Sequence, residues 1–152
     1  MTMFYTMGIS SSALTTQRLR LDVISSNMAN VDTTREKLVD GQWQPYRRKM
    51  VVMQPNENSF SSALNNAMGS YTGNKNPAGV KVARIVEDQT PFKSIYDPEH
   101  PDADENGYVY QSNVDPLREM VDMISATRSY EANVTVFNAT KAMLMKSLDI
   151  GK

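Results

Sequence analysis

The stretch from Asp115 to about Asp149 holds no glycine and no proline after Pro116. A run of that length without a backbone breaker predicts one continuous helix. Asp115 offers a side-chain oxygen as N-cap, and proline is tolerated in a first turn, where its missing N–H would have no partner anyway. Gly151 marks the stop. Steps of alternating three and four residues pick out Met120, Met123, Thr127, Tyr130, Val134, Phe137, Lys141, Leu144 and Leu148. All but Thr127 and Lys141 are apolar, and a lysine stem can lie along a seam. This is the spacing of a coiled-coil seam, and Leu117, Val121 and Ile124 widen its first half. At ~1.5 Å per residue the helix spans roughly 50 Å and needs a partner of similar length.

The other end of the chain offers one. The same steps from the N-terminus give Met3, Met7, Ser10, Leu14, Gln17, Leu21, Ile24, Met28 and Val31, with no proline between them. Gly8 is the weak point, so the helix is expected to firm up only after Ile9 or Ser10. The simplest packing pairs the terminal helices and loops out the middle. Ser, Thr and Asn are frequent in the first helix and are poor interior helix formers. Paired only with each other, the seams would leave Leu117, Val121 and Ile124 uncovered. Both helices are therefore expected to be largely disordered in an isolated subunit and to order on assembly.

A chain of 152 residues allows one modest domain, or one plus an extension. A net charge of -1 gives no electrostatic case for nucleic acid. No apolar run is long enough to span a bilayer, and Met1 to Gly8 lacks the basic and apolar regions of a cleaved secretory signal. The absence of cysteine excludes disulfides, thiol catalysis and thiolate metal sites. Methionine is concentrated in the two seams, where core filling is the plainer reading and an adaptable interface the sharper one.

The fold class that follows is α+β. Residues 1–34 form an N-terminal helix, losing order near Asn30 to Thr34, and residues 112–152 a C-terminal helix, the two pairing as a coiled coil. Residues 35–111 carry a small β region and a mobile insertion over about 55–79. Arg35 to Tyr46 reads as an irregular extended segment turning at Asp40-Gly41. Strands are expected over Arg47 to Gln54, Val80 to Glu87, Phe92 to Tyr96 and Tyr108 to Gln111. The insertion holds one helical island, Phe60, Leu64, Ala67 and Met68, between Ser59 as cap and Gly69 as stop, and Gly69 to Gly79 reads as a loop.

No stretch carries convincing catalytic chemistry. His100 is the only histidine and lies in a loop, where a solvated role outweighs that of a general base. Asp102, Asp104, Asn106 and Gly107 match the front of a calcium loop, but the twelfth position is Asn113 and no helix enters. Gly69 to Lys75 lacks phosphate-loop spacing. Arg47, Arg48 and Lys49 read as a solvated strand edge. No cofactor, metal, nucleic acid or small-molecule substrate is implied.

Five phrases, in order, carry a resemblance. They are Ala13-Leu14 through Ser26-Asn27-Met28-Ala29-Asn30 to Thr33; Pro45-Tyr46-Arg47-Arg48-Lys49; Gly79 to Ala83; Pro91-Phe92-Lys93 with Tyr96-Asp97-Pro98 to Val109; and Asn113-Val114-Asp115 through Glu119-Met120-Val121 and Arg128 to Asn133. Together the chain resembles the axial rod and hook proteins of the bacterial flagellum, and the central phrase resembles the proximal-rod group among them. Ser112 stands where that group often has proline. The resemblance implies a structural protein and not an enzyme. It would be exported by the flagellar type III apparatus without a cleaved signal, and would polymerise in the periplasm to pass torque from motor to hook. Its implied partners are copies of itself, other rod proteins, the inner-membrane ring and rod-base adaptors. The expected assembly interface is Leu14, Leu21, Ile24, Asn27, Met28, Asn30, Met120, Met123, Tyr130, Val134, Phe137, Leu144 and Leu148. The competing class is a coiled-coil adaptor or secretion chaperone that closes into a soluble oligomer. Calorimetric titration with calcium is expected to show no binding tighter than millimolar; tight binding lost in Asp102→Ala would reverse that reading of the acidic run.

Overall fold

A computed structural model describes residues 3–39, 41–56 and 79–150. Helix α1 spans Met3–Ala29 and helix α2 spans Pro116–Ile150. Between them lie β1 (Lys37–Val39), β2 (Gln42–Gln44), β3 (Lys49–Pro55), β4 (Val80–Glu87), β5 (Lys93–Tyr96) and β6 (Tyr108–Gln111). Among the described residues the strands form three two-stranded sheets, β1 with β2, β3 with β4 and β5 with β6. The α+β class holds, with long helices at both ends and small strand pairs in the middle.

Helix α2 starts where its sequence caps it. The Asp115 carboxylate accepts from Leu117 N at 3.1 Å, and the Asp115 carbonyl accepts from Glu119 N at 3.0 Å. The 35-residue helix continues unbroken to Ile150. Helix α1 is already formed at Met3 and runs through Gly8, earlier than its composition suggested. A glycine costs a helix about 1 kcal/mol but removes no backbone hydrogen bond, so the turns on either side carry it. The helix ends in its own polar phrase. Asn30 Nδ2 donates to Ser26 O at 2.8 Å, and Thr33 Oγ1 donates to Asn30 Oδ1 at 3.2 Å.

The segment expected to be irregular is a hairpin. Lys37 faces Gln44, Leu38 faces Trp43 and Val39 faces Gln42. Gly41 takes φ +84°, a left-handed turn position that glycine fills without strain. Nearly every side chain of β1 and β2 is exposed, so no buried alternation betrays them in the sequence. Strands β4 and β6 match their expected spans, and β3 and β5 match to within two residues. The helical island at 60–68, most of the loop 69–79, Asp40 and the stop at Gly151 lie outside the described residues.

The chain divides into two compact units. The first contains Met1–Arg18, Val52–Arg84 and Arg128–Lys152; the second contains Leu19–Val51 and Ile85–Thr127. In the first, Gly79 approaches α1 so closely that a Cβ there would lie 2.4 Å from Ser12 Oγ. The next residue uses that approach: Val80 N donates to Ser12 Oγ at 3.1 Å, and Thr16 Oγ1 donates to Val80 O at 3.4 Å. The second unit holds every buried apolar residue among those described: Val23, Ile24, Pro45, Tyr46, Val109, Val114 and Ala126. Among the described residues, those buried in the first are Ser10, Thr16 and Thr140. Apolar burial is the main favourable term in folding, at about 25 cal/mol per Å². Part of each helix belongs to the unit with a core, so the expected disorder in an isolated subunit is greater in the other unit. Hydrogen exchange on dilute, verified monomer is expected to show protected amides over 19–29 and 116–127, with fast exchange over 130–150. Equal protection along all of α2 would mean that the first unit stands alone.

Candidate assembly interface

Asn27 lies in the last turn of α1 and is 1 % exposed. Its side-chain amide copies a strand neighbour. Oδ1 accepts from Lys49 N at 2.9 Å, and Nδ2 donates to Lys49 O at 2.9 Å. The remaining valences are also used: Tyr46 Oη donates to Oδ1 at 3.0 Å, and Nδ2 donates to Glu119 Oε2 at 3.0 Å. All four hydrogen-bonding positions of the amide are thus filled inside the second unit.

Glu119 is fully buried, at 0 % exposure, on the first turn of α2. Its other oxygen accepts from Arg48 Nε at 2.6 Å. Arg48 Nη2 donates to Asp122 at 3.3 Å, and Asp122 also takes Arg20 Nη2 at 3.0 Å. The backbone of Arg48 is held as well, its N–H donating to Asn113 Oδ1 at 2.7 Å and its carbonyl accepting from Asp88 N at 2.8 Å. Asn113 Nδ2 then donates to Asp88 O and Thr90 O, each at 3.2 Å. A buried ion pair carries a desolvation penalty, so it persists only with its remaining valences satisfied, as they are here. The phrases around Asn27, Tyr46 to Lys49 and Asn113 to Glu119 therefore meet at one buried polar hub.

Sequence reading took the basic triplet as a solvated edge, and that is corrected for Arg48, which is buried. Arg47 lies over the Phe92 ring at 4.4 Å, and Lys49 pairs with Glu36 at 3.1 Å. Sequence reading also missed Glu119. The available signal was an acidic residue, between Arg118 and Met120, on the first turn of a helix that needs a covered face.

The expected interface residues fall into three groups. Ile24 and Asn27 are buried inside the second unit. Leu14, Leu21, Met28, Asn30, Met123, Tyr130, Val134, Phe137 and Leu144 are half-buried. Met120 and Leu148 are exposed. On α2 the covered face is turned by one residue at alternate seam positions. Glu119, Ala126 and Thr140 are buried, whereas Met120, Thr127 and Lys141 are exposed. Small or paired polar residues fill the fully buried positions, larger apolar ones such as Met123, Tyr130, Val134, Phe137 and Leu144 are half-buried, and several others are left outside. Leu117 is 75 % exposed and Leu148 69 %, with Val121, Ile124, Val136, Met143 and Met145 also open. Exposed apolar side chains repeated along one helix are candidates for cover by a neighbour.

The acidic run forms the turn between β5 and β6, with Gly107 at φ +77°. Asp102 accepts from Thr34 Oγ1 at 2.6 Å and pairs with Arg35. The Thr34 hydroxyl, then the Arg35 guanidinium, hold its carboxyl below the ordinary range. The carboxylate is thus occupied by protein donors. Among the described residues no group of three or more His, Cys, Asp or Glu is placed to hold a metal ion. No described helix is long and apolar enough to cross a membrane.

Residues 7–35 match the model of the family described as "Flagella basal body rod protein". Residues 105–150 match the model for "Flagellar basal body rod FlgEFG protein C-terminal". The chain is 60 % identical over 152 residues to the flagellar basal-body rod protein FlgC of Bacillus subtilis, covering all of both chains. It is 44 % identical over 161 residues to FlgC of Borreliella burgdorferi, covering 99 % of this chain and 98 % of that one. It is 45 % identical over 144 residues to FlgC of Salmonella typhimurium, covering 95 % of this chain and 94 % of that one. The chain belongs to the FlgC family of flagellar basal-body rod proteins. The two model matches cover most of α1 and α2, and with them Asn27 and Glu119, so the hub joins the two FlgC-family end regions.

Truncating one side of a buried charge pair leaves the other side unpaired, at a cost of about 3–5 kcal/mol. Arg48→Ala or Glu119→Ala is expected to lower the urea midpoint of the second unit by the corresponding amount. Leu117→Ala, on the exposed face, is expected to leave that midpoint unchanged. Equal midpoints for all three would remove the hub from the account of the fold.

Proposed function

We propose that this chain is a structural subunit of the proximal rod of a flagellar basal body, polymerising through its terminal helices to pass torque from motor to hook. The observation that carries the reading is the division of the core. The second unit has its own apolar interior, whereas α2 beyond residue 127 leaves Val136, Met143, Met145 and Leu148 in solvent. Side chains of that kind on a long helix need covering, and neighbouring subunits can supply the cover. Coupling the ordering of the first unit to assembly would delay polymerisation until an existing end supplies several contacts together.

The interface in this reading runs over Leu14, Leu21, Met28, Asn30, Met120, Met123, Tyr130, Val134, Phe137, Leu144 and Leu148. Ile24 and Asn27 lie behind it and fix the frame. A contact between unlike surfaces that does not close a ring generates a filament or tube. Its neighbours would be copies of this chain, other rod proteins, and the inner-membrane ring and rod-base adaptors beneath. The export apparatus would deliver it to the periplasm without cleavage of a signal. The names of its relatives support the rod assignment; the periplasmic site and the particular neighbours are inferred from family membership.

Placing a carboxylate in an apolar interface costs several kcal/mol. Cells whose only copy carries Leu148→Asp or Leu144→Asp are expected to secrete the subunit normally and to fail to swim. Normal swimming would remove the end of α2 from the interface. A stable, closed soluble oligomer of the purified wild-type chain would favour an adaptor instead.

A further inference from the structure

We propose that the acidic aromatic face of the β5–β6 hairpin seats the basic outer end of α2 from a second copy of this chain, an inference that rests on the rod-subunit reading. Register puts Tyr96 opposite Tyr108 and Ser94 opposite Tyr110, so three tyrosines share one face of the hairpin. All three are exposed, and the Tyr96 and Tyr108 rings meet edge-to-face at 5.4 Å. Tyr110 continues the strip into a cavity of about 330 Å³ that Trp43, Pro45 and Pro101 also line. Asp97, Glu99, Asp104 and Glu105 lie in the turn that joins β5 to β6, with Asp104 also lining that cavity; all four are exposed and form no ion pair among the described residues.

Charge is segregated between the two units. The second unit carries 14 Asp and Glu against 8 Lys and Arg, a net -6. The first carries 8 Lys and Arg against 3 Asp and Glu, a net +5. The near-neutral total hides a polar subunit whose copies attract when unlike units approach. The basic unit also presents a shape that suits an aromatic strip. Lys141, Met145 and Leu148 recur at i, i+4 and i+7 on α2, and all three are exposed. Lys141 forms no ion pair among the described residues. An ammonium placed over a tyrosine ring gains a cation–π attraction beside its carboxylate partner, and a methionine sulfur gains a contact at a ring edge. Donor and acceptor faces differ, so a copy that docks with its helix end still offers its own hairpin to the next. That is the head-to-tail geometry of an open assembly.

The chain has no cysteine, which makes a pairwise test clean. Two differently tagged copies, one with Tyr108→Cys and one with Lys141→Cys, are expressed together, and basal bodies are isolated and oxidised. A disulfide adduct bearing both tags is expected, with none when both copies carry Tyr108→Cys. Rods that contain both copies but give no mixed adduct would overturn the seating and leave the rod reading intact. Absence of both copies from the rods would overturn the rod reading itself. Charge reversal provides the second measurement. Asp104→Lys with Glu105→Lys is expected to abolish swimming, and adding Lys141→Glu with Lys146→Glu in the same chain is expected to restore it. Failure to restore swimming would also overturn the seating.

Discussion

The bond from Arg48 to Glu119, with Asn27 closing its other side, is the interaction on which the second unit depends. It joins three distant stretches: the end of α1, the entry to β3 and the first turn of α2. The carboxylate is fully buried and both of its oxygens are satisfied. Removing water from such a group is unfavourable, so the arrangement holds only when every partner arrives in register. That requirement gives one relative placement of α1 and α2 within the unit, which a purely apolar contact between two smooth helical faces would specify less sharply. Asn113 adds a second lock by holding the Arg48 backbone while it bridges to Asp88 and Thr90. The Thr90 backbone N–H, ahead of other causes, keeps the Asp88 carboxyl below its ordinary range and therefore charged beside Arg48.

Around this hub the chain distributes its apolar residues unevenly. Tyr46, Val109, Val114 and Ala126 are buried in the second unit, while among the described residues the long remainder of α2 buries only Thr140. Among the described residues, one part of the molecule has an apolar interior of its own, and the other leaves several apolar side chains of α2 exposed. In the proposed assembly, such a division would leave the exposed part of α2 to be covered by neighbouring subunits.

The sequence on its own determined both helices, the extent of α2, four of the six strands and the family. Those features are local or periodic: an N-cap at Asp115, an uninterrupted seam, alternation over Val80 to Glu87, and ordered phrases along the chain. It determined less about the hairpin at Lys37 to Gln44, because three-residue strands with exposed side chains leave no pattern beyond the turn at Gly41. Only the tertiary structure decided which face of α2 turns inward. The seam spacing ran through Met120, Thr127 and Lys141, which are exposed, while their neighbours Glu119, Ala126 and Thr140 are buried. The periodicity reports where apolar side chains lie, and cannot tell a face buried within the subunit from one left for a neighbour. Arg48 decided it at the first turn by drawing Glu119 inward. The pairing of residues 71 positions apart is a long-range electrostatic fact that no local pattern encodes.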